Sequence, residues 1–110
     1  MEISFASRKL ERDLSSHSAM QKAYGDRTQR LMRRLDLLRA APCLADVPKE
    51  PPSRCHELTG SWSDHFAVDV THTWRLVFRP AREPVPRTSD GGIDLNQVTA
   101  VQIVAVEDYH

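Results

Sequence analysis

The sequence ends Glu107-Asp108-Tyr109-His110, which puts a carboxylate, a phenol and an imidazole side by side after a strand-like run beginning at Val98. Two further groups belong with them by type: His56, on a weak strand candidate, and Arg75, on a stronger one. Together they form an acid/base set that needs no metal. If the last strand continues to its end, Asp108 and His110 share a face with Val104 and Val106, while Tyr109 points the other way. Cleavage of RNA uses such a set. A base takes the proton from the ribose 2′-hydroxyl, an acid protonates the leaving 5′-oxygen, and a fixed cation offsets the charge that builds on phosphorus. Imidazole suits both proton roles because it ordinarily titrates near neutrality. The planar fork of arginine suits the third, since it holds two phosphate oxygens at once.

Other chemistries find no footing. His56-Glu57 has no second histidine four residues on, and Cys43, Cys55 and His56 lack a fourth ligand at any zinc spacing. Serine-hydrolase, Walker and dinucleotide motifs are missing, so neither a metal nor a cofactor is expected. Plainer roles stand beside the chemical ones. His56 is also read as a satisfied strand histidine, Arg75 as a surface ion-pair partner, and the last three residues as a frayed end. His65 and His72 read as exposed strand and turn residues, and Trp62 as a loop anchor.

The elements that must position these groups follow from periodicity. Ile3 and Phe5 alternate along a short first strand, Glu2 to Phe5. Ser7 offers an N-cap for a helix using Leu10 and Leu14, which Ser15 and Ser16 interrupt. A second helical piece covers His17 to Tyr24, with Gly25 as its left-handed stop. Asp26-Arg27-Thr28-Gln29 then fits a capping box, and Leu31, Leu35 and Leu38 form the apolar face of a helix running to about Ala41, ended by Pro42. Residues 42 to 52 hold four of the seven prolines and read as a strap. Three strand candidates follow: Arg54 to Leu58, His65 to Val70 and Trp74 to Arg79, the last two joined as a hairpin through Thr71-His72-Thr73. Residues 80 to 97 hold three prolines and Gly91-Gly92 and read as a flexible insertion. The final strand, Val98 to Val106, is apolar on both parities and therefore central. The expectation is an α+β fold, with an N-terminal strand and helices packed on one face of a mainly antiparallel sheet and the other face open to a ligand.

With 110 residues the chain makes one domain, 1 to 110, with one modest core. Glu2, Arg8 and Lys9 break any apolar run at the start, so no signal peptide or membrane span is drawn and a cytoplasmic location is expected. Two cysteines in such a chain are expected to be reduced. Fifteen basic and fifteen acidic residues cancel, which is not the balance of a free nucleic-acid binder. Positive charge is nevertheless concentrated at Arg27, Arg30, Arg33, Arg34 and Arg39, offset only by Asp36. That stretch reads either as a face for RNA or an acidic partner, or as a solvated helix face.

Three segments carry a family likeness: Arg54-Cys55-His56-Glu57-Leu58-Thr59-Gly60, then Phe66 to Phe78, then Val106-Glu107-Asp108-Tyr109-His110. With Tyr24-Gly25 ahead of the Met32-Arg33-Arg34-Leu35 helix, they resemble the HigB toxins of the RelE/ParE superfamily over nearly the whole chain, apart from residues 80 to 97. The resemblance implies a RelE-like fold and the toxin of a type II toxin–antitoxin pair, an endoribonuclease cutting messenger RNA in the ribosomal A site and so arresting translation. It implies that His110 transfers a proton and is oriented by Asp108, that His56 is its partner or binds phosphate, that Arg75 clamps phosphate, and that Tyr109 positions or stacks. Arg27, Arg30, Arg33, Arg34 and Arg79 are then expected to face RNA or the ribosome. A HigA-like helix-turn-helix antitoxin is the implied partner, with operator DNA reached only through it. The family's lysine-containing segment is replaced here by Thr59-Gly60-Ser61-Trp62, so one phosphate-binding cation is missing. Two alternatives stay open: a ParE-like toxin that binds DNA gyrase without chemistry, and an attenuated toxin acting mainly through its antitoxin as co-repressor.

Overall fold

The structure, a computed structural model, describes Met1 to Tyr109; His110 lies outside the described residues. A five-stranded sheet is built from β1 (Glu2–Phe5), β2 (His56–Glu57), β3 (Phe66–Thr71), β4 (Trp74–Pro80) and β5 (Ala100–Asp108), in the order β1-β5-β4-β3-β2. All neighbours are antiparallel except β1 and β5, which run parallel. The last strand is therefore interior, as its two apolar parities require. Three helices, α1 (Arg8–Asp13), α2 (His17–Tyr24) and α3 (Thr28–Ala40), fill the crossover from β1.

Local signals act where the sequence puts them. The Ser7 hydroxyl accepts from the Leu10 N–H to start α1, and Ser16 accepts from Ala19 to start α2. Gly25 stops α2 with a φ of 58°, a backbone region that costs a residue without a Cβ little. The capping box at Asp26 does not form. Gly25–Arg27 instead makes a 3₁₀ turn that runs into α3, whose N-cap, Arg27, has no side-chain bond to the helix. Thr28 donates its hydroxyl to the Gly25 carbonyl.

One side of the sheet buries Phe66, Val68, Leu76, Phe78, Val101 and Ile103 against Leu31, Leu35 and Leu38 of α3. Each buried leucine contributes roughly 1.5–3 kcal/mol relative to exposure, so the i, i+4, i+7 stripe alone fixes α3 on the sheet. The opposite side carries only a small cluster, Leu58, Ala67 and Val77, with Trp62, Val104 and Ala105 packed around it. The turn holding Trp62 covers that end of the face. The other end, toward the β3–β4 hairpin, has no helix over it among the described residues.

Residues 80 to 97, expected as a flexible insertion, hold definite contacts. Arg87 bridges Ile93, Thr88 and Gly92 close a turn, and Ile93 is buried in the main core. Among the described residues no helix is long and apolar enough to cross a membrane.

Both cysteines are free thiols. Burial pushes the Cys55 thiol up to about 11. At pH 8 only about a thousandth of it is thiolate, and the thiolate is the nucleophile. A colorimetric disulfide reagent should therefore react with Cys43 in the folded protein and with Cys55 only after denaturant is added. Prompt reaction of both thiols would show that this part of the core is open.

Candidate active site

The hairpin Thr71-His72-Thr73, with Thr73 at a φ of 69°, sets Asp69 opposite Arg75. The β4–β5 register sets Arg75 opposite Glu107. Directly opposed residues in a sheet project to the same side. Asp69, Arg75 and Glu107 thus form one row on the uncovered face. Arg75 donates from Nε at 2.8 Å to one Glu107 oxygen, and its Nη2 lies 2.6 Å from the same oxygen in an ion pair. With side chains only 15% and 29% exposed, the pair is better shielded than the surface ion pairs worth about 0–1 kcal/mol.

Arg54 extends the row past the sheet edge. Its Nε lies 2.6 Å from one Asp69 carboxylate oxygen and its Nη2 3.4 Å from the other. That hydrogen bond, then the charge of Asp69, raises the Arg54 guanidinium above its ordinary value, with smaller contributions from Tyr109. The Tyr109 ring stacks on Arg75, with the guanidinium carbon 4.8 Å from the ring centroid, and the Tyr109 N–H donates to the Thr73 carbonyl. Carboxylates and guanidiniums alternate across the face in the order Glu107, Arg75, Asp69, Arg54.

His56 stands one row away, opposite Ala67 on the same face and two inter-strand spacings, roughly 10 Å, from β4. Its Nδ1 lies 2.6 Å from the Arg54 carbonyl. A carbonyl only accepts, so Nδ1 carries the proton and Nε2 of the neutral ring is left as the acceptor. Arg54 adopts a φ of 46° to present that carbonyl.

The structure brings His56, Arg75 and Tyr109 onto one face. Asp108 falls on the other parity: it pairs in register with Trp74, and its neighbour Val106 pairs with Leu76, whose side chain lies in the helix-side core. His110, expected to work with Asp108, lies outside the described residues. Of the expected RNA-facing cations, Arg30 and Arg33 are exposed on α3. Arg27 lies over the Trp74 ring at 3.9 Å. Arg79 is paired with Glu83 at 2.8 Å, beside a cavity of about 460 Å³ also lined by His65 and Arg87.

Arg34 corrects the sequence reading. It is 7% exposed, and its Nε donates at 2.6 Å to the Asp69 carbonyl, at the bulge where the β3–β4 register shifts. A bulge leaves backbone groups without ladder partners, and Arg34 supplies one. Burial lowers its guanidinium from the ordinary value, with the charge of Arg30 adding to the effect. Sequence reasoning also missed Arg54, Asp69 and Glu107. The hairpin carried a signal for one contact, because Asp69 and Arg75 stand equally far from His72. Among the described residues no group of three or more His, Cys, Asp or Glu is arranged to hold a metal ion.

No protein-family model matches the chain, and no curated protein resembles it in sequence. Among solved structures, a YoeB/ParE toxin from Agrobacterium tumefaciens superposes with a TM-score of 0.55 and 14% identity, covering 100% of both chains. The fold is that of a YoeB/ParE toxin.

Substituting Arg34 should act on stability and leave RNA affinity alone. Arg34→Ala is expected to lower the unfolding free energy by about 2 kcal/mol, the scale of a lost hydrogen bond from a charged group. Arg30→Ala and Arg33→Ala should leave the denaturant midpoint within the scatter of surface changes, about ±0.5 kcal/mol. Chemical denaturation of the three variants checks this.

Proposed function

We propose that this chain is the toxin of a type II toxin–antitoxin pair and cleaves messenger RNA on the ribosome by metal-free acid/base catalysis. The shared fold supports the toxin assignment. One observation carries the chemistry: Arg75 under the Tyr109 ring lies on the same uncovered face as a His56 whose Nδ1 proton is held by a carbonyl. In this reading His56 Nε2 takes the 2′-hydroxyl proton, and Arg75 holds the phosphate and offsets charge as it develops. Tyr109 positions the nucleotide by stacking or through its hydroxyl. His110 keeps the role expected from sequence, that of a proton-transfer residue oriented by Asp108, and with His56 as the base it is the group left to protonate the leaving oxygen. A HigA-like antitoxin restrains the toxin, and the pair meets operator DNA through the antitoxin.

Dependence on the ribosome follows from charge. Two guanidiniums and two carboxylates in the row cancel, and the chain as a whole has no net charge. Affinity for RNA grows with the number of phosphates neutralised, so free message is held weakly and the ribosome has to present it. A second reading, a toxin that blocks its target by binding alone, is favoured by the same two ion pairs, since each guanidinium already has a carboxylate.

Programmed ribosomes with mapping of RNA 5′ ends separate the two. His56→Ala and Arg75→Ala should each slow cleavage by roughly a hundredfold or more. Undiminished cleavage by His56→Ala removes its proton-transfer role. Growth arrest with intact messages would replace the nuclease by the binding toxin.

A further inference from the structure

The charge row contains more than a nuclease of this kind requires. A phosphate clamp needs cations, yet both guanidiniums on the face are already engaged. One Glu107 oxygen accepts from Arg75 Nε at 2.8 Å and lies 2.6 Å from Nη2 in ion-pair contact, and Asp69 takes two N–H groups of Arg54, at 2.6 and 3.4 Å. The Arg54–Asp69 contact is the forked kind that a phosphate makes with arginine, while Glu107 holds the Nε/Nη2 edge of Arg75 through one oxygen. The Tyr109 ring stacks on Arg75, and Tyr109 also contributes to the raised value of Arg54, so the tyrosine joins the two pairs.

We propose that Glu107 and Asp69 are resident counter-ions standing in the phosphate positions of a two-guanidinium clamp, Arg75 and Arg54, so that an RNA phosphodiester binds by exchange with a carboxylate. This rests on the nuclease reading of the face. It adds Arg54 as a second phosphate contact, and Glu107 and Asp69 as residues that set how weakly RNA binds. The exchange has two consequences. The carboxylates hold the guanidiniums in place before substrate arrives, so little side-chain freedom is lost on binding. They also remove the net positive charge that would draw the protein onto any passing RNA.

The test measures binding with cleavage blocked. A fluorescently labelled, single-stranded 2′-O-methyl RNA has no 2′-hydroxyl to attack with, and anisotropy reads its affinity for the full chain over a range of salt concentrations. Glu107→Gln keeps the shape and the accepting oxygen but removes the charge. It should bind about fivefold tighter at low salt, with the log–log salt slope steeper by about 0.7, the value for one added phosphate contact on a single strand. Asp36→Asn makes the same change of net charge on the exposed side of α3 and should alter neither quantity. The gain should vanish in Glu107→Gln combined with Arg75→Ala. Affinity for Glu107→Gln equal to or below wild type, or an equal gain in Asp36→Asn, overturns the proposal. If Glu107→Gln melts well below wild type, the same measurement on Asp69→Asn decides, because its partner Arg54 is half exposed. Ribosomal cleavage by wild type with unchanged binding in both variants would remove the exchange clamp and leave the nuclease. Tighter binding in a protein that never cleaves would do the reverse.

Discussion

Asp69 is the residue on which both the sheet and its open face depend. Its N–H donates to the Ser53 carbonyl at 2.7 Å, its own carbonyl accepts from buried Arg34 at 2.6 Å, and its carboxylate receives Arg54 at 2.6 Å. One residue thus ties the strap before β2 to β3, pins β3 to α3 across the sheet, and anchors a cation on the far side. The bulge beside it makes this possible, because an uninterrupted ladder would have used the carbonyl that Arg34 now takes. Polar groups in so shielded a place are costly unless matched, and here they are matched by groups from two separate parts of the chain, α3 and the Ser53-Arg54 pair ahead of β2.

What the fold gives the site is a difference between two faces. α3 seals one side with leucines, and the Trp62 turn covers one end of the other, so the row from Glu107 to Arg54 lies on the part left open. A row of alternating charge is preorganised without being strongly attractive. Under the proposed function, that combination suits a protein whose RNA is held for it by a larger particle.

The amphipathic elements were legible in the sequence because their signals are local. Ser7, Gly25 and the Leu31, Leu35, Leu38 stripe act within a turn or two of themselves, and the two apolar parities of the last strand required an interior position. Arg34 shows where that reading stopped too early. It lies three residues after Leu31 and four before Leu38, on the same apolar stripe, and the helical spacing already marked it as inward-facing. Asp26 failed as a cap because a 3₁₀ turn took the residues it needed. The row itself was not legible. Opposite charges at Arg75 and Glu107 meet only through the β4–β5 register, and that register is fixed by packing across the whole sheet and by a bulge after Val77. Placing Asp108 with the site followed strand alternation correctly but assumed that the chemistry shared the parity of Val106.

The most direct test watches the guanidiniums themselves. Arginine Nε–H resonances of the full chain, followed by heteronuclear NMR while a short 2′-O-methyl RNA is titrated in, report which cations meet phosphate. The account predicts that Arg54 and Arg75 shift together and in proportion to occupancy, while buried Arg34 stays in place. Shifts confined to Arg30 and Arg33 on the helix, with Arg54 and Arg75 unmoved, would contradict it.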